Sequence, residues 1–331
     1  MRFALDAQQR DFAASIAAAL AATPIPGGVP AAVRAWAAGE VGPGRVVWSS
    51  LAALGVTALA VPERCNGLQA HPVDLVVALE QLGRWCVPGP VTESLVVAPI
   101  LLSDDPRCAE LCGALAAGDL MATVALPPQV PRAVDADAVD LVLVADAGQV
   151  YPAKMGQCHQ SVDPSRRLFD VVATEQPGQA WHAQVAQAYD FGVLATAAQL
   201  VGASQALLEM TVDYAKARSQ FGRLIGSYQA IKHRLADVHI AVELARPLVY
   251  GAAVSLAAHS ADSARDVSAA KAAASDAAVV AARTALQTHG AIGFTAEHDL
   301  SLWLLRVQAL RPAWGSPALH RRRVLEALCA P

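Results

Sequence analysis

The chain is poor in charge and in aromatic rings: 16% of its residues are charged and 5% are Phe, Trp or Tyr. A net charge of −4 gives no strong field of either sign, so the sequence carries no footprint for nucleic acid. Its one basic run, Arg321, Arg322 and Arg323, sits among apolar residues at helical spacing and reads as a solvated helix face. Cys65, Cys86, Cys108, Cys112, Cys158 and Cys329 lack CxxC spacing, and the nine histidines lack HxxxH or HExxH spacing. Metal chemistry is thereby disfavoured, and buried thiols in a reducing cytoplasm are expected. No charge-free run is expected to reach the roughly 18–20 residues of a membrane span. The N-terminus, with Arg2, Asp6, Arg10 and Asp11 in an amphipathic pattern, is unlike a secretory signal. A Rossmann sheet is disfavoured as well, since there is no GxGxxG and no βαβ alternation.

What is present is 331 residues at 54% hydrophobic content, enough for a composite fold with a large core. Three textures follow one another. Residues 1–117 are helical, with apolar residues at three- and four-residue spacing from Ala4 onward and breaks at PIPGG, VGPGR, PERCNG and PGP. Residues 118–188 turn to short valine-rich runs, MATVAL, DLVLVA and FDVVAT, which read as a small β region. Residues 189–331 return to long helices: three of them and one shorter C-terminal helix make an antiparallel bundle. Asp262 or Ser263 is expected to cap the third and Gly290 to stop it, while Pro247 should kink the second.

Two segments carry most of the functional signal, ARSQFGRLIGSYQAIKHRLAD at 217–237 and QTHGAIGFTAEHD at 287–299. Together with LGVTALAVPERCNGLQAHPVDLVVALEQLGR at 54–84 and SVDPSRRLFDVV at 161–172, they resemble four motifs of the acyl-CoA dehydrogenase family, in the family's order. The resemblance implies a mainly α fold with a small β domain: an N-terminal helical domain, a reduced β middle domain and a C-terminal four-helix bundle. It also implies FAD and an acyl-CoA substrate. The family's diphosphate and adenosine contacts fall on Arg218, Gln220, Phe221, Gln229, Gln287 and Gly290. Arginine suits phosphate through its forked donors, and glycines such as Gly290 and Gly293 let a main chain approach closely.

The resemblance fails where catalysis needs it. Removing a proton α to a thioester carbonyl requires a carboxylate base, and the family keeps its glutamate at one of two places. Those places read Gly192 and Gly315 here, and no catalytic residue is assigned. Asp190, close by in sequence, has a structural reading, and Glu297 in TAEHD is expected to pair locally. The segment at 123–145 also lacks the family's flavin-ring contacts. This pattern resembles the shorter chain of actinobacterial heterotetrameric enzymes acting on steroid-derived CoA thioesters. Expected partners are a second acyl-CoA dehydrogenase-like subunit in a two-plus-two tetramer and an electron-transfer flavoprotein, with no membrane and no nucleic acid. A structural subunit, or a homodimer using Asp190 as an atypical base, stays open.

Overall fold

A computed structural model describes residues 5–174 and 180–329. Six helices fill the first region: α1 (Ala7–Ala21), α2 (Gly28–Ala37), α3 (Val41–Ala53), α4 (Pro72–Arg84), α5 (Ala98–Ser103) and α6 (Ala109–Ala117). Their starts follow from local chemistry. Asp6 and Gln9 form a reciprocal capping box on α1, the Asp6 carboxylate accepting from Gln9 N–H at 2.8 Å and the Gln9 side chain from Asp6 N–H at 3.2 Å. The expected start at Ala4 lies outside the described residues. Pro72 opens α4, where a missing N–H costs nothing.

Six short strands follow: β1 (Ala122–Ala125), β2 (Ala133–Val134), β3 (Leu141–Asp146), β4 (Gln149–His159), β5 (Leu168–Ala173) and β6 (Trp181–His182). They pair in the order β1-β3-β4-β5-β2, with β6 added to β4. Only β1 and β3 run parallel. Among the described residues no helix lies between successive strands, in keeping with the lack of βαβ alternation in the sequence.

The bundle is α7 (Val185–Ala217), α8 (Gln229–Ala257), α9 (Ser263–His289), α10 (Leu300–Leu310) and α11 (Pro317–Cys329). Two short helices stand where one was expected, because Gly315, at φ 103°, together with Pro312 and Pro317 interrupts the turn pattern. Pro247 lies inside α8, which continues on both sides of it. Asp262 precedes α9 without a side-chain capping bond, and Gly290 ends that helix at φ 66°.

The core sits where α7 crosses the other helices, and it corrects one expectation. The run from Phe191 to Leu208 carries no charge, and both α7 and α8 are long and apolar enough to cross a membrane. In α7 89% of that apolar window is buried inside the protein, the signature of a core helix. The α4–α7 crossing is backbone to backbone: a Cβ on Gly83 would lie 2.2 Å from the Gln199 carbonyl oxygen, and one on Gly202 would lie 1.9 Å from that of Glu80. Any side chain at either position would force the helices apart.

Buried polar groups tie the three regions together. From α10, Arg306 donates to Asp163 at 2.6 Å, to Ser165 Oγ at 3.0 Å and to the Val87 carbonyl at 2.9 Å. Burial alone would raise the Asp163 pKa, but Arg306 and Ser165 outweigh it and hold the carboxyl below its usual range. Four cysteines are buried as expected, whereas Cys158 on β4 and Cys329 at the end of α11 are exposed.

Candidate functional site

The residues singled out for cofactor binding gather on two adjoining structures. Arg218 caps the C-terminus of α7 in an extended conformation, which ends the helix and launches a hairpin. Its strands, β7 (Ser219–Gln220) and β8 (Arg223–Leu224), turn through Phe221 and Gly222 at φ 49° and 79°, the paired positive values that a two-residue hairpin favours. The hairpin is held from one side: Arg223 stacks on the Tyr228 ring at 3.8 Å, and the Tyr228 hydroxyl donates to the Gln220 carbonyl at 3.3 Å. Arg218, Gln220, Phe221 and Gln229 all stand exposed, Phe221 at 92%. Arg218 forms no ion pair among the described residues.

Gln287 and Gly290 lie at the end of α9, both exposed. Among the described residues nothing lies within 4 Å of a Cβ built on Gly290, so glycine is needed there for its backbone angle while the space beside it is open. Gly293 differs from its expected role. It is buried, with a Cβ site 3.2 Å from both His289 Cβ and Leu286 Cδ1, so its missing side chain serves internal packing. The two structures touch: Tyr214 of α7 stacks on His289 of α9 with ring centroids 4.2 Å apart.

The two base positions converge on one side chain. A Cβ on Gly192 would lie 2.3 Å from the Trp314 ring, and Gly315 is the next residue along the chain. Trp314, 2% exposed and at φ 57°, directs its indole into the space beside α7, where its N–H donates to the buried Glu93 carboxylate at 3.0 Å. A Cβ on Gly315 would meet His320 Nε2 at 2.6 Å and the Tyr189 hydroxyl at 2.9 Å.

The loop bearing Trp314 is held by groups from three helices. The Trp314 carbonyl accepts from His320 Nε2–H at 2.9 Å and from the Tyr189 hydroxyl at 3.2 Å. Lys271, fully buried in α9, donates to the carbonyls of Leu310, Arg311 and Gly315 at 3.3, 2.9 and 3.3 Å. Burial, and then the Arg311 charge, lower the Lys271 pKa to about 7. Burial, followed by the Lys271 charge, lowers His320 to about 4, so its imidazole is neutral at pH 7. Sequence reasoning missed Trp314, Lys271, Glu93 and His320.

Asp190 accepts from Arg323 at 2.8 Å, a pair that takes up the acid and removes Arg323 from the expected solvated face. Glu297 is exposed and makes no ion pair among the described residues, against the expectation of local pairing. Beside the indole a cavity of about 210 Å³ remains, lined by Val130, Val134, Arg166, Leu168 and Pro312 among others. The described residues include no cluster of His, Cys, Asp or Glu able to hold a metal.

Comparison with known proteins gives the class of flavoprotein to which this arrangement belongs. The acyl-CoA dehydrogenase N-terminal domain matches residues 6–103 and the C-terminal domain residues 181–329. The chain is 33% identical to the acyl-CoA dehydrogenase IpdE2 of Mycobacterium tuberculosis, over 89% of this chain and 90% of that one. It belongs to the acyl-CoA dehydrogenase family, oxidoreductases that act on acyl-CoA with FAD. Among solved structures, the ChsE4-ChsE5 complex from Mycobacterium tuberculosis shares the fold at a TM-score of 0.85, with 22% identity and full coverage of both chains. The Tcur3481-Tcur3483 steroid enzyme shares it at 0.84, with 19% identity and 97% coverage of each.

Proposed function

We propose that the chain is the base-less subunit of a heteromeric acyl-CoA dehydrogenase, a two-plus-two tetramer in which a similar sister chain supplies the flavin-ring cradle and the catalytic glutamate. One observation carries the reading: both base positions are glycine, and Trp314 fills the space between them. A base must come within roughly 3 Å of the α-proton, and Asp190, held by Arg323, is not free to do so. When bound, FAD supplies the acceptor for the β-hydride.

The chain's own residues fit one half of that cofactor. Arg218 and Gln220 would hold the diphosphate by charge-assisted hydrogen bonds, Phe221, Gln229 and Gln287 would flank the adenosine side, and the open main chain at Gly290 would approach it. The fit stops at the ring side, where the family contacts are replaced by 123–145 and Trp314 takes the room. FAD would therefore be shared between the two chains, with this chain's residues holding its phosphates and the sister's holding its ring.

A fold shared with complexes of two named chains supports the heteromer. The steroid enzyme among those folds supports a bulky, steroid-derived acyl-CoA as substrate, oxidised to the trans-2-enoyl-CoA. An electron-transfer flavoprotein is the proposed acceptor, and six free thiols suit a reducing cytoplasm. The test is flavin content. Expressed alone, the chain should be colourless and prone to aggregate through exposed Ile240, Leu244 and Leu248 on α8; co-expressed with its sister it should be soluble and yellow. A stable yellow homodimer would contradict the proposal.

A further inference from the structure

The two cofactor segments leave from the ends of α7 and α9, and one residue touches both. The Tyr214 carbonyl accepts from Arg218 N–H at 2.9 Å, which fixes the first residue of the hairpin arm. The Tyr214 ring lies on that of His289, with planes 23° apart, and its hydroxyl donates to the His289 carbonyl at 3.5 Å, at the peptide leading into Gly290. His298 closes the column, edge-on to His289 at 5.3 Å.

His289 is placed for shape. Its Nδ1–H donates to the Ala285 carbonyl at 2.9 Å, so Nε2 keeps a lone pair, without a partner among the described residues. Burial foremost, then His298, lowers its pKa against the pull of Ala285. The imidazole is therefore neutral at pH 7 and gives no charge to a phosphate.

We propose that Tyr214 and His289 form a strut that sets the separation between Arg218 and the Gln287–Gly290 turn, and thereby positions the two parts of the diphosphate and adenosine site. The proposal rests on the reading above that these segments hold FAD. Both are positioning residues, acting through the backbones they fix.

The experiment measures retention of FAD, and competition by ADP, in the complex purified with the co-expressed sister chain. Flavin fluorescence is followed on serial dilution. His289→Leu and Tyr214→Leu should each weaken both ligands roughly three- to tenfold, the scale of a lost ring stack, while His289→Phe, which keeps a stack, should stay near wild type. Retention should show no extra pH step near the ordinary histidine range. Equal loss in the Phe and Leu variants, or no loss in either, overturns the strut. If His289→Leu does not assemble, Tyr214→Leu, at the half-buried end of the stack, is compared with Tyr214→Phe in its place. Arg218→Ala separates the two readings. If it weakens FAD while the Leu variants do not, the strut alone fails; if none of them matters, the cofactor reading fails with it.

Discussion

Around Trp314 the backbone carbonyls of the loop are claimed from inside the chain, by Lys271, His320 and Tyr189, and the indole N–H by Glu93. Along 218–229 most side chains stand in solvent, and the hairpin is braced from behind by Arg223 stacked on Tyr228 and by the Tyr228 hydroxyl on the Gln220 carbonyl. Polar groups satisfied internally and shut away from water have nothing left to offer a ligand. Exposed donors on a braced scaffold are ready to bind, since little ordering remains to be done. The first region is closed on itself, and the second presents its polar side chains to solvent.

The largest effect that would break this contrast is a catalytic one. Asp190→Asn should leave turnover of the complex within about twofold, whereas changing the sister chain's glutamate to glutamine should lower it by roughly 10²–10⁴. A large loss from Asp190→Asn, with assembly and flavin content unchanged, would return the base to this chain. Next comes the plug itself. Trp314→Ala removes a buried ring and takes the indole N–H from the Glu93 carboxylate, so it should cost about 3–5 kcal/mol and lower the melting temperature. Its flavin content should hold, and a parallel loss of FAD would show that the two ends are not independent.

A smaller effect comes from pH. The folded pKa of His320 lies near 4, below its ordinary 6.5, because burial and then Lys271 disfavour the imidazolium. The unfolded chain therefore takes the proton first: the contribution is fully present above pH 6.5 and is lost as pH falls toward 4, by at most about 3 kcal/mol. His320→Gln should flatten that limb of a denaturation-midpoint against pH curve, and an unaltered slope would remove His320 from the lock. Smallest is the open end, where Arg218→Ala should weaken FAD retention by about 1.5–3 kcal/mol, less if water screens the contact, with assembly intact. Full retention would make Arg218 a helix-end residue only.

Helical periodicity made α7, α8 and α9 legible, and the departures at Gly192 and Gly315 were plain because motifs on either side set the register. The filling of the vacated space was not. It depends on Trp314 taking a left-handed backbone, which sequence does not announce for a tryptophan, and on contact between residues more than 100 positions apart. Two glycines at neighbouring sites with a lone tryptophan beside one of them were the available hint. Lys271 was hidden for another reason: in the alanine-rich run SAAKAAAS a lysine reads as the solvated face, and only the fold shows that face turned toward the carbonyls closing α10.

That amine also makes the chain its own reporter. Lys154, Lys216 and Lys232, its other lysines, are exposed and open to acylating reagents, while Lys271 is reached only when the segment it clamps lets go. With a reagent fast enough to trap each opening, the mass shift on its peptide counts excursions of the 311–316 loop directly, with no probe attached and no residue changed. Binding the sister chain should slow that clock only if the interface stiffens the closed end as well as completing the open one.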